Sequence, residues 1–289
     1  LMLLVLPLAF AGIAYGGLIS RNNNLYTENL RYVERLPELL EQHNITAEGL
    51  RLGQRNADEQ RLALARSQRF LEPPRSIQIF AQSLASPGSL FALLLGAMVM
   101  GPLFSANTLP TASRAKLRGS GFTLSRMAAL PLLWGVVSLA LVPLALASGL
   151  AALPFLPQAS LGSGPTLLQL FTAIAGVWFV GVSWSLVGGG LAVAARSWVL
   201  PVAIGVLAWV GEFVAAVLVP GVARWSPTFG ITGLISKGAS RFYDGSLYAV
   251  GNNNFSGGPQ PALAPALLLG LALMFVAWGV WRYRRDELA

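Results

Sequence analysis

LLQLFTAIAGVWFVGVSWSLVGGGLAV, from Leu167 to Val193, contains no Asp, Glu, Lys or Arg. About 20 apolar residues at roughly 1.5 Å rise cross a hydrocarbon core of about 30 Å, so this run is long enough to span a bilayer as a helix. Working outward, five further runs are nearly free of charge. They are Leu1 to Ile19, Ser89 to Asn107, Met127 to Leu150, Trp198 to Val219 and Pro261 to Trp281. Of the 289 residues 54% are hydrophobic and only 11% charged, with a mean hydropathy of +0.60, which is more apolar than a soluble domain can cover. The expected fold is an all-α integral membrane protein of six transmembrane helices, one domain over residues 1–289. The run Leu1 to Ile19 also has leader length, although no small-residue A-x-A cleavage site lies directly before Arg21.

Charge sets the expected orientation. Arg114, Lys116, Arg118, Arg126, Arg196, Arg282, Arg284 and Arg285 fall on one side of the spans, against Arg224, Lys237 and Arg241 on the other. The positive-inside rule places the larger group in the cytoplasm, with both termini, in a multi-pass protein of the cell membrane. The net charge of +8 then points to anionic phospholipid and not to nucleic acid, because the basic residues outside one long loop flank apolar spans.

That long loop, residues 20–86, is expected to be an extracytoplasmic, mainly helical insertion between the first two spans. Between Arg21 and Arg75 it carries nine Arg and eight acidic residues, the balanced mixture of a solvated helical surface. Leu30, Val33, Leu36 and Leu40 recur at helical spacing, Asn56 and Glu59 resemble a capping pair opening a second helix, and Pro73-Pro74 end it. Ile77, Ile79, Phe80 and Leu84 suit a short segment lying along the membrane surface, and a plain connector is the alternative. The other outer segment, 221–260, is rich in Gly, Ser and Asn and reads mostly as loop.

Catalytic patterns are missing from the chain. Lys116 follows Ala115 and Lys237 follows Ser236, so no P-loop Gly-Lys-Ser/Thr occurs, and the sole histidine, His43, is followed by Asn44, which excludes a His-Glu-x-x-His zinc site. No Gly-x-Ser-x-Gly elbow is present, and Ser113 with Lys116 has Ser-x-x-Lys spacing in a basic loop where the lysine stays protonated. Cysteine is absent. The chain is therefore expected to be no enzyme, with no metal and no cofactor of its own.

Glu212 is the one ionisable residue within a span, 14 residues after Trp198. An intramembrane carboxylate is costly and by default marks a substrate path or an interface. The competing reading ends the helix near Gly211 and leaves Glu212 at an aqueous boundary. Gly12, Gly16 and Gly188-Gly189-Gly190 would let helix backbones approach closely, and Pro102, Pro131, Pro143 and Pro201 could bend spans.

The order of spans, the basic segment between the second and third, and the ending Trp281-Arg282-Tyr283-Arg284-Arg285-Asp286-Glu287-Leu288 resemble the permease subunits of type-2 ATP-binding-cassette exporters. In that family the last span commonly ends in an aromatic residue followed by Arg-Arg-Asp. The resemblance covers the whole chain in layout. It implies a homo- or heterodimer of six-helix subunits, each resting on a separate cytoplasmic P-loop ATPase that binds ATP and Mg. The coupling segment is then 113–126, with Ser113, Arg114, Lys116, Arg118, Ser125 and Arg126. This chain departs from the family's glutamate after the second span, since Phe104 is followed by Asn107. The alternative is a membrane-anchored assembly or sensory protein whose outer subdomain binds a partner.

Overall fold

A computed structural model describes residues 2–42, 47–71, 73, 75–85, 88–101, 120–156, 166–197, 199–218, 231, 235 and 263–287. These residues form eight α-helices and one short 3-10 turn. Three helical stretches, Ser125–Phe155, Leu167–Ala195 and Leu263–Arg285, are long and apolar enough to cross a membrane. The number is four if Ser76–Ala85 and Gly88–Met100, which meet at 51°, count as one broken span, and Val199–Glu212 is a shorter apolar stretch.

Helix α1 runs unbroken from Met2 to Gln42. The apolar run ends at Ile19 but the helix does not, because its backbone hydrogen bonds are internal and do not depend on whether the surroundings are apolar or wet. Helix α2, Ala47–Leu71, returns alongside it. It starts well before Asn56, with Glu48 in its first turn where the helix dipole favours an acid. Asn56 is exposed within that helix, and Glu59 pairs with Arg55 one turn back at 3.1 Å instead of capping. Tyr15 on α1 donates to the Leu71 carbonyl and packs on Phe80, which pins the end of the hairpin to the bundle.

The segment expected to lie on the membrane surface is instead helix α3, Ser76–Ala85, all ten of whose residues are buried. It packs against α1, α2 and the first three of the helices described next, and its apolar side chains are all buried. Helix α4 is Gly88–Met100, α5 Ser120–Ala152, α6 Leu167–Ala195, α7 Val199–Leu218 and α8 Leu263–Glu287. Pro131 and Pro143 lie inside α5 without ending it. A capping box opens α6: the Thr166 hydroxyl accepts from the Gln169 amide at 3.3 Å, and the Gln169 side chain accepts from Thr166 N–H at 2.9 Å. Arg196 closes the same helix in the left-handed region, φ 51°.

Helix α6 is the hub, touching α3, α4, α5, α7 and α8. Its glycines explain how so many neighbours fit. A methyl group on Gly188 would sit 2.1 Å from the Leu93 carbonyl oxygen, and one on Gly96 of α4 would sit 1.9 Å from that of Ser185. On the far side, Gly190 and Gly279 bring α8 close as well, where an added methyl would lie 2.6 Å from the Phe275 backbone and 2.7 Å from the Gly190 carbonyl oxygen. The expectation for Gly188-Gly189-Gly190 therefore holds, whereas Gly12 and Gly16 meet nothing within 4 Å and bring no described helix close. Of the outer segment 221–260 only Ile231 and Ile235 are described. Both are buried, with Ile235 pressed onto Gly176, so these two residues belong to the core.

Candidate functional site

Contacts along the helices fix their directions. Ala92 lies against Ser185 and Met100 against Gly189, so α4 and α6 run in the same sense. Met127 clusters with Ala192 and Val193 while Gly135 lies nearer Trp178, so α5 runs oppositely. Val202 belongs to the Met100 cluster and Gly205 faces Leu93, so α7 opposes α4. One end of the bundle is thus formed by the last turns of α4, α6 and α8 and the first turns of α5 and α7, joined by Met100, Met127, Ala192 and Val193 with Tyr283 packed on them.

The described basic residues of the inner group gather at that end. Ser125 and Arg126 are exposed on the early turns of α5, Arg196 closes α6, and Arg282, Arg284 and Arg285 end α8. The α8 arginines suit the negative end of its dipole, and the Arg285 guanidinium stacks over Trp281 at 5.7 Å. Ser113, Arg114, Lys116 and Arg118 lie outside the described residues. The α1–α2 hairpin and the start of α3 lie at the opposite end.

Glu212 does not sit at a helix end, because α7 continues to Leu218. It shares a face with Pro201, Gly205 and Trp209, the side turned to α4 and α6, while Ile204, Leu207, Val210 and Val214 on the other side are exposed. Its half-buried carboxylate therefore belongs to the bundle side of the helix.

A polar bridge that sequence reasoning missed crosses the core. Trp134 of α5 donates from Nε1 to the Ser185 hydroxyl at 2.7 Å, which in turn donates to the Ala92 carbonyl of α4 at 2.8 Å. The ring of Trp134 lies flat on Gly181, where any side chain would collide with it. The signal was present as small residues four apart, Ala92 and Gly96 on α4 and Gly181, Ser185 and Gly189 on α6. Nearby, the Ser76 hydroxyl of α3 donates to the Ala145 carbonyl of α5 at 2.8 Å. Within α3, α5 and α6, three buried side-chain atoms have no hydrogen-bond partner among the described residues: Gln82 Nε2, Ser138 Oγ and Trp184 Nε1. Among the described residues no group of three or more His, Cys, Asp or Glu could hold a metal ion.

Comparison with protein-family models, curated proteins and solved structures finds no match to this chain.

Proposed function

We propose that the chain is a six-span membrane protein serving as the permease subunit of an ATP-binding-cassette transporter, an exporter, driven by a separate cytoplasmic ATPase. The observation that carries this reading is the convergence of Ser125, Arg126, Arg196, Arg282, Arg284 and Arg285 on one end of the bundle, where five helix ends are packed into a unit. A partner pushing on that end would move α4 to α8 together, which is what coupling requires. Segment 113–126 makes the contact, a second permease subunit completes the complex, and Glu212 lines the path.

The test is copurification of the full chain in mild detergent, with and without Arg126→Lys combined with Arg114→Lys and Arg118→Lys. A P-loop ATPase should copurify, and the lysine variant should retain less of it, because lysine preserves charge but loses the planar guanidinium fork. If no ATPase is recovered, the permease reading fails. An assembly or sensory protein is the second reading, favoured by the α1–α2 hairpin. Its α1 limb beyond Ile19 runs for 23 residues, about 35 Å. That reading expects an outer partner in the same experiment.

A further inference from the structure

Beyond Ile19, where its apolar run ends, α1 continues to Gln42 as the first limb of the hairpin. Asn22 and Asn29, seven residues apart, form a buried side of this limb. Beside them Leu25, Tyr32 and Leu39 also recur every seven residues, and they stand 42%, 46% and 38% exposed. Seven residues are close to two helical turns, so these side chains drift by only about 20° per step and make one stripe about 21 Å long. A leucine-tyrosine-leucine stripe at this spacing suits the seam of a helix pair, and no described helix covers it.

Charge selects what covers the stripe. Glu28 and Arg35 are exposed, seven residues apart, and neither has an ion-pair partner among the described residues. At about 100° per residue both lie roughly 40 to 60° round from Tyr32, on the flank away from Asn29. A second α1 laid parallel and in register would set Glu28 against Glu28 and Arg35 against Arg35, and both contacts repel. Laid antiparallel about Tyr32, it sets each Leu25 on the other copy's Leu39, Tyr32 on Tyr32, and each Glu28 beside the other copy's Arg35. The face is therefore complementary to itself in one direction only. Copies in one membrane share an orientation and stand parallel, so an antiparallel partner comes from a facing membrane. The register leaves room for it, because Gln42 of one copy comes level with Asn22 of the other and each α1 ends short of the opposite apolar run.

We propose that the limb of α1 beyond Ile19 pairs with the same limb of a second copy, antiparallel about Tyr32, and so joins two facing membranes about 40 Å apart. One helix face is a smaller contact than a stable dimer needs, and many copies on each membrane supply the strength together. The pairing involves the hairpin alone and goes beyond the permease reading.

The natural lack of cysteine makes the register directly readable. Full-length Leu25→Cys and Leu39→Cys chains carrying different tags are reconstituted in separate phospholipid vesicles, mixed, and treated with a short bismaleimide. Position 25 should cross-link to position 39 between vesicles. Pairs 25 to 25 and 39 to 39 lie about 21 Å apart in this register and should not cross-link. Glu28→Arg in both populations should cut the yield about tenfold, and so should Arg35→Glu in both, since each turns two attractive pairs into repulsive ones. Glu28→Arg on one side facing Arg35→Glu on the other should restore it. All four positions are exposed, so the variants keep the fold, and a size-exclusion profile checks this. No cross-link between vesicles in folded protein, equal yields for the three pairs, or charge reversal without effect would each overturn the proposal. The vesicles contain no ATPase, so this result stands apart from the copurification that decides the permease reading.

Discussion

Adding one methyl group at each of three consecutive glycines should have three different consequences. At Gly188 the new carbon would lie 2.1 Å from the Leu93 carbonyl oxygen and 2.9 Å from its carbon. Real Cβ atoms essentially never approach within 3.0 Å, so α4 and α6 must separate by about 0.9 Å at a contact between two backbones. A gap of that size forfeits a quarter to a half of the dispersion energy along the seam, and overpacking of this kind costs roughly 3 kcal/mol. Alanine's better helix propensity returns about 1 kcal/mol. The net is about 2 kcal/mol, or roughly 30-fold in the unfolding equilibrium. Gly190→Ala, whose carbon would meet the Phe275 backbone at 2.6 Å, should follow closely. At Gly189 the nearest atom is Met100 Cγ at 3.3 Å, on a flexible side chain that can swing away, so Gly189→Ala should be neutral or slightly stabilising. The assay is equilibrium unfolding of the purified chain in mixed detergent micelles followed by tryptophan fluorescence. If Gly188→Ala proves no less stable than Gly189→Ala, α4 and α6 do not meet as described.

Trp134→Phe and Ser185→Ala should each destabilise the chain by about 1 kcal/mol, and the double variant by less than the sum, since both act on one bridge; full additivity in a double-mutant cycle would refute the shared bond. Single cysteines at Gln54, Ser163 and Ser256 should be labelled in intact cells by an impermeant thiol reagent, whereas those at Gly119 and Ser197 should be protected. Outside labelling at Gly119 would reverse the orientation.

The helical character of the chain was legible from composition and from runs such as Leu167 to Val193, because a backbone in apolar surroundings must satisfy its hydrogen bonds internally whatever its neighbours are. The approximate limits of α5, α6 and α8 follow from the same runs. Glycine in the triplet 188–190 announced close packing, but the identical residue at 12 and 16 did not deliver it, because a close contact needs a second helix and the sequence does not say which one is there. Charge position likewise marked Glu212 as unusual, while only the face it shares with Gly205 showed that it turns toward the bundle.

The larger departures have the same origin. Hydropathy ends the first span at Ile19, yet α1 continues to Gln42, since a fall in apolarity is not a helix stop and no proline or glycine lies between Ile19 and Pro37. Residues 76–85 mix Gln and Ser with Ile, Phe and Leu, a pattern equally suited to an interface and to a polar interior. Burial on every side of α3 resolved it, through the carbonyl of Ala145 and the ring of Tyr15, partners 69 residues ahead and 65 residues behind in the chain. Local composition alone determined that this protein builds helices and where most of them lie. Which of them touch, and therefore which polar groups meet inside the bundle, was decided by tertiary packing, because those contacts join residues that no local pattern relates.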